Sequence, residues 1–386
     1  MIATLSRTPA GRCSTTVERI GDGLAFAALK QEWDELLGAS DSDGLFLTWE
    51  WLYTWWKHLA ADSRLYIVVV RCEGVLAALA PCCSSSPSLT HRRLLPVLQW
   101  LGSGNVGSDY LDVIVRCGYE EEARDAISSY LARERLVLNW TQLKWGACQA
   151  AGVASALAVN GWSVAEAKTN TCPFIPLVGK SWDAYLASLG AEHRYNFQRK
   201  WKRLNRDYSV SFEQVGTPQQ CSDSINLVIA QHNLRWRDRG GSDAFHMPSL
   251  VEFHREFSQV ALGRGWLRLF ILRLDGKPAA CLYGFLYRET FYFYQSGLDP
   301  AYEKHSVGLV AMGLAIKTAI EEGAEEYDLL HGGEAYKSHW SRDSRELSRL
   351  EAYPPGALAW LCRSAVEAER GARRIVRRLL PKGISA

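Results

Sequence analysis

No stretch of this chain offers about 20 uninterrupted apolar residues, so the sequence holds no membrane-spanning helix pattern. The opening MIATLSRTPAGRCSTTVERI has basic residues but lacks the continuous apolar core of a secretory leader, which leads us to expect a soluble, cytoplasmic protein. Charge imbalance is also missing. The 44 basic and 42 acidic side chains leave a net charge of +2, too little for a global field that recruits nucleic acid or membrane, so any electrostatic partner must use a local patch. Ten cysteines run from Cys13 to Cys362, but only Cys82 and Cys83 adjoin, and the paired CxxC and histidine spacing of a zinc site is absent. We expect reduced, mostly buried thiols and no metal.

What is present is globular: 47% hydrophobic and 22% charged residues, in a chain of 386 that exceeds the usual single domain of roughly 150. Phe26, Leu29, Trp33, Leu36 and Leu37 follow helical spacing up to Gly38, and a second helix begins after Thr48 with Trp51, Trp55 and Trp56 on its face. Residues 65–71 (LYIVVVR) then read as a strand, Glu73-Gly74 as a turn and 75–80 (VLAALA) as a returning strand. Strands are expected near 110–115 and 136–145, and helices near 120–133 and 150–160. Further helices follow on either side of Gly190, the second strongly basic, and at 221–238 and 248–262. Strands and helices alternate, as in α/β or α+β folds.

The hairpin then recurs. Arg71-Cys72-Glu73-Gly74-Val75-Leu76-Ala77-Ala78 aligns with Arg273-Leu274-Asp275-Gly276-Lys277-Pro278-Ala279-Ala280, matching the arginine, the acid, the glycine and both alanines. An offset of about 200 residues is far longer than a solenoid repeat and implies duplication of a whole domain. Beyond the second hairpin, the strand of ETFYFYQSGLDPAY leads into a helix whose first turn holds Ser306, Val307 and Gly308. Free N–H groups at such a helix start form an anion cradle suited to a pyrophosphate. After a further strand at 326–330, the loop His331-Gly332-Gly333-Glu334 and the segment Ala335-Tyr336-Lys337 gather polar groups at a strand end. Asp328, His331 and Glu334 are alternative general bases, and Tyr336 or Lys337 can stabilise charge or donate a proton.

The ordered set FLTWEWLYTWW, the RxEG hairpin, GSDYLDVIV, AEHRYNFQRKWKRLNR, FYFYQSGLDPAYEKHSVG and YDLLHGGEAYKSHW resembles the CelD-like branch of the GNAT acetyltransferases and, more remotely, the Fem aminoacyltransferases. The resemblance covers most of residues 45–340. It implies an α/β (α+β) fold of tandem duplicated GNAT-like domains, each with a mixed sheet flanked by helices. We expect a degenerate first domain over 15–170, the acyltransferase domain over 171–355 and a basic C-terminal helix over 356–386. The resemblance further implies that the strand at 291–297, including Tyr294 and Ser296, splays from its neighbour and binds the acyl carbonyl through backbone N–H groups. Ser306, Val307, Gly308 and Leu309 would hold the pyrophosphate of an acyl-CoA such as acetyl-CoA, and Tyr336-Lys337 matches the family's Tyr-Lys pair. The implied reaction transfers an acyl group directly to an amine or hydroxyl of a carbohydrate or nucleotide-sugar precursor, as in polysaccharide biosynthesis. The turn KHSVGLVA keeps one glycine where the family usually has two small residues and an Arg or Gln, which leaves aminoacyl-tRNA as an alternative donor. A non-catalytic accessory role in cellulose or exopolysaccharide assembly is the reading from another class. The first domain, whose corresponding GSGNVGSDYLD runs into a strand, is expected to lack a donor site.

Two basic stretches remain. Arg194, Arg199, Lys200, Lys202, Arg203 and Arg206 fit a solvated helix face or a clamp for a phosphorylated substrate such as tRNA. Between Trp360 and Leu380, Arg363, Arg370, Arg373, Arg374, Arg377 and Arg378 fit a helix lying on an anionic membrane or, the favoured expectation, one packed on the body with its arginines in water.

Overall fold

The computed structural model describes residues 14–87, 94–237, 245, 247–332 and 334–379, with side chains undescribed at 235–237 and 372–379. The first half comprises β1 (Thr15–Ile20), α1 (Gly23–Ala28), α2 (Lys30–Leu37), α3 (Trp49–Leu59), β2 (Arg64–Cys72), β3 (Val75–Ser85), β4 (Val97–Trp100), β5 (Ile114–Val115), α4 (Glu120–Leu131), β6 (Val137–Lys144), α5 (Gln149–Val159) and β7 (Ser163–Pro176). The rest comprises α6 (Trp182–Ser188), α7 (Ala191–Asp207), β8 (Val210–Gln214), α8 (Pro218–Arg237), α9 (Pro248–Gly263), β9 (Leu267–Leu274), β10 (Lys277–Tyr287), β11 (Thr290–Leu298), α10 (Val307–Glu321), β12 (Glu326–Asp328), α11 (Lys337–Trp340), β13 (Asp343–Tyr353) and α12 (Ala357–Leu379).

Local chemistry sets the boundaries. The Thr48 hydroxyl accepts the Trp51 N–H at the start of α3, and Ser181 accepts the Ala184 N–H at α6. Glu73 and Gly74 (φ 50° and 82°) close one hairpin, and Asp275 and Gly276 (φ 49° and 75°) close the other. Two successive residues with positive φ make the turn whose twist matches the flanking strands. The repeat seen in the sequence is therefore a repeat of backbone conformation. The expected helix over 26–37 is broken: Leu29 caps α1 with its N–H on the Ala25 and Phe26 carbonyls and starts α2. The strand expected over 110–115 shrinks to β5, because Tyr110 takes φ 57° and the Asp112 carboxylate turns to accept the N–H groups of Gln149 and Ala150 at the start of α5.

A single mixed sheet runs β1-β2-β3-β4-β6-β13-β7-β12-β11-β10-β9-β8. From either edge toward the middle, the succession of strands is the same, and each half holds one parallel pair, β4 with β6 and β11 with β12. The central strands are exchanged. β7, which follows the first half, pairs with β12 of the second, while β13, from near the end of the chain, pairs with β6 of the first and with β7. The polar alternation of β7 and the remoteness of β13 from its partners hid both from the sequence reading. Trp51, fully buried on α3, meets the rings of Phe253 (5.0 Å) and Phe257 (4.7 Å) on α9 edge-on, so the tryptophan-rich helix joins the halves.

Among the described residues no helix is long and apolar enough to cross a membrane. α12 packs on the body, as favoured for the C-terminal stretch, but its first two arginines also make contacts there. Ala359 and Cys362 are buried beside Leu95, Val137 and Tyr353, and on the same side Arg363 reaches Ser163 while Arg370 donates to Glu351 (2.7 Å). Arg363 and Arg370 reach the body while keeping 40% and 34% of their side-chain surface in water. The side chains of Arg373, Arg374, Arg377 and Arg378 lie outside the described residues.

Candidate active site

β11 and β12 pair only from Thr290–Glu326 to Tyr292–Asp328. β11 then runs on to Leu298 with β10 on one side and no strand on the other, so the two strands part and leave backbone groups open along one edge. A bulge sharpens the parting. Gly284 faces Phe293 and Tyr283 faces Gln295, leaving Tyr294 unopposed. Only glycine fits at 284, since a Cβ there would stand 2.6 Å from the Tyr292 carbonyl oxygen.

After β11, Asp299 accepts the Ala301 N–H (2.9 Å), a short tight helix runs Pro300–His305, and Ser306 swings into the left-handed region at φ 57°. That conformation costs a non-glycine residue about 1 kcal/mol. It directs the serine hydroxyl away from its usual capping role, so α10 begins without a side-chain cap. The first N–H groups of the helix, on Val307, Gly308 and Leu309, have no intrahelical acceptor and remain donors at the positive end of the helix dipole. Gly308 lets this turn sit against β11, for a Cβ would lie 3.2 Å from both Leu298 methyls.

Between the open edge of β11 and the start of α10 lies a cavity of about 350 Å³, closed on its third side by α11. Ser306, Val307, Gly308, Leu309, Ser296 and Tyr336 all line it, together with apolar Leu282, Phe293, Met312 and Trp340. Of the site residues picked from the sequence, these six are brought together. The others lie elsewhere. Successive strand residues point to opposite faces, and Tyr294 turns away, its hydroxyl on the Val106 carbonyl and 3.3 Å from His254 Nε2. Lys337, 4% exposed, spends its ammonium on the carbonyls of Leu330 (3.3 Å) and His331 (2.9 Å) and on Glu334 (3.0 Å), which fixes the loop before α11. Gly333 of that loop is outside the described residues.

Asp328 and His331 sit in the seam between the halves. The Tyr110 hydroxyl donates to Asp328 (2.7 Å), the Leu330 N–H does likewise (2.7 Å), and Arg345 approaches it at 3.2 Å. Burial outweighs these donors and pushes the Asp328 carboxyl up to about 7. His331 binds the fully buried Asp109 through Nδ1 (2.7 Å) and through its backbone N–H (2.8 Å), and that carboxylate holds the imidazole pKa above its ordinary value. A second cavity of about 280 Å³, lined by Asp109, Tyr292 and Asp328, opens on the sheet face opposite the first.

Two histidines that the sequence reading passed over line the first cavity. The rings of His193 on α7 and His339 on α11 stack 5.3 Å apart at 7°. Burial, and then the charge of His339, lowers the His193 pKa. Only the fold joins positions 193 and 339, and no local spacing could have announced the pair. α7 also passes beside α10, with Phe197 against Gly313, Leu204 among Val307 and Val310, and the Tyr208 hydroxyl 3.2 Å from His305 Nε2.

The equivalent place in the first half is filled by the chain itself. Trp100 of β4 stacks on Trp140 of β6 (4.5 Å, 20°), and the Leu111 N–H bonds the Gln142 carbonyl. The matching helix, α4, starts with Glu120, Glu121 and Glu122, and the Gly118 N–H donates to the Glu120 carboxylate (2.9 Å). Three carboxylates there repel a phosphate.

Residues 191–338 match the family model described as an acetyltransferase (GNAT) domain. No curated protein matches the chain in sequence. Among solved structures, FemX is similar at a TM-score of 0.58 with 10% identity, over 86% of this chain and 96% of that one. A conserved protein of unknown function from Bacteroides thetaiotaomicron is similar at 0.55 with 14% identity, over 87% and 99%. The C-terminal domain of a protein assigned as a lysylphosphatidylglycerol synthetase from Agrobacterium fabrum is similar at 0.52 with 11% identity, over 89% and 96%. The acetyltransferase match thus falls in the second half, at residues 191–338, and the likeness to the solved structures is one of fold.

Proposed function

We propose that this acyltransferase takes its acyl group from an acyl-CoA bound in the cavity between β11, α10 and α11, and passes it to an amine or hydroxyl. One observation carries the reading: the uncapped N–H groups of α10 and the open edge of β11 border the same mostly apolar cavity. A pyrophosphate fits the first, and a pantetheine arm, extended and rich in amides, fits the second. Donors on β11 beyond Tyr292 would polarise the thioester carbonyl and hold the oxyanion of the tetrahedral intermediate. The acceptor's lone pair forms the new bond to the acyl carbon and the C–S bond breaks. The acceptor's proton passes to solvent or a base, and Tyr336, on the cavity wall, protonates the departing thiolate. Lys337 positions Tyr336 through the loop it ties down and does not touch the donor.

The acceptor we propose is a carbohydrate or nucleotide-sugar precursor of polysaccharide synthesis, supported by the resemblance to the CelD-like acetyltransferases. A second reading, aminoacyl transfer from charged tRNA, draws on the run of basic α7 alongside the start of α10 and on the similarity of fold to FemX. Thermal unfolding with acetyl-CoA, longer acyl-CoAs, free CoA and charged tRNA tests both. A donor at 100 times its dissociation constant stabilises by about 2.7 kcal/mol. A rise with one thioester and none with tRNA supports the first reading, the reverse supports the second, and no rise with any of them removes both.

A further inference from the structure

Of its described side chains, α12 buries only Ala359 and Cys362 and leaves its larger apolar residues outside. A surface helix of a globular protein ordinarily turns its apolar stripe to the core and its charges to water. Here Arg363 and Arg370, seven residues apart on one side, reach Ser163 and Glu351 on the body. Leu358 and Leu361, on the far side, are 46% and 48% exposed, and Trp360 is 66% exposed. Ala365 and Ala368 continue that outward side at helical spacing, and the sequence repeats apolar residues at 372, 375, 376 and 379. Over its described side chains, the helix thus presents Leu358, Trp360, Leu361 and Ala368 away from its own protein.

We infer that this face lies on the surface of an anionic lipid bilayer. Beyond Arg363 and Arg370, the sequence of the segment adds four arginines at 373, 374, 377 and 378, a basic cluster that anionic headgroups neutralise. Two copies joined through the same face would instead bring two such positive segments together, and like charges at close range oppose that assembly. Trp360, with an apolar ring and a polar N–H, suits the headgroup boundary. With Arg363 and Arg370 held by the body, the helix lies flat, the orientation of an interfacial helix and not of a span. The site then works at the membrane surface, whatever its acceptor, and this inference stands independently of the donor reading.

Co-sedimentation of the full chain with vesicles of phosphatidylcholine, with and without phosphatidylglycerol, at low and high salt, is the test. Leu358→Glu and Leu361→Glu are the variants, with circular dichroism and the donor-induced thermal shift as folding controls, since both leucines are half exposed. Binding should favour the phosphatidylglycerol vesicles by at least about tenfold, fall with salt, and weaken by about tenfold or more in each variant, since one buried leucine is worth about that factor. Equal binding to both vesicle types, or variants that bind like the parent, would overturn the inference. So would a dimer in vesicle-free solution that either variant converts to monomer, because a second copy would then cover the face.

Discussion

Gly308→Asp separates stability from donor binding, since the two should respond in opposite ways. Residue 308 is in the first turn of α10, where a carboxylate gains about 0.3–1 kcal/mol from the helix dipole. Losing the glycine adds a few tenths through helix preference. Against this, the new Cβ would stand 3.2 Å from the Leu298 methyls, and moving that side chain costs about 1 kcal/mol. Unfolding without ligand should therefore stay within about 1 kcal/mol of the parent. For the donor the balance differs. A fixed negative charge ~5 Å from a pyrophosphate costs about 3 kcal/mol per unit of phosphate charge at an effective dielectric of 20, or roughly 100-fold in affinity. The assay is thermal unfolding with and without acyl-CoA, beside Gly308→Ala, which adds the same Cβ without the charge. The alanine variant should keep the donor-induced rise and the aspartate variant should lose it, with partial recovery near 1 M salt, where screening falls to about 3 Å. A full rise in Gly308→Asp would place the pyrophosphate elsewhere and refute the assignment of the turn.

Other substitutions test the scaffold. Gly313→Ala puts a Cβ 2.2 Å from the ring of buried Phe197, and the overpacking cost of about 1–3 kcal/mol should exceed the helix-preference gain of about 1 kcal/mol; urea unfolding should show a loss that Phe197→Leu restores. Lys337→Met strands two carbonyls and Glu334, costing about 1–3 kcal/mol by the same measurement, and an unchanged midpoint would remove the positioning role of this lysine. His254, fully buried, is pushed down to about 3 by desolvation, so below the ordinary histidine pKa the unfolded chain binds a proton that the native state refuses. Stability from this residue therefore drains away as pH falls, by about 1.4 kcal/mol per unit between pH 6.5 and 3. His254→Phe should gain on the parent by that slope when unfolding is compared at pH 7 and pH 5, and parallel losses would refute it.

The hairpins were legible because their cause is local: an acid followed by glycine, both at positive φ, can be recognised from a few residues. The start of α10 was legible for the same reason, since Gly308 and the preceding strand are adjacent in sequence. Tyr294 was misplaced because the bulge opposite Gly284 adds a residue, and one added residue turns a strand's side chains to other faces. Lys337 was read as a charge for the reaction, yet its ammonium is taken by backbone carbonyls that lie six and seven residues before it. His193 with His339, and Asp109 with His331, are pairs made by chain segments 146 or more residues apart, beyond any pattern in a window of sequence.

The exchange of β7 and β13 bears on how the protein is made. Residues 343–353 fill the centre of the sheet, so a nascent chain lacking them carries β6 and β7 as two unsatisfied edges around a vacant slot. Neither half can complete its part of the sheet before residues 343–353 have been made. Until then the open edges are templates for pairing with other chains. Truncation before Asp343 would consequently remove the first half's native neighbour along with the end of the second, and the loss would surface as aggregation of the whole protein.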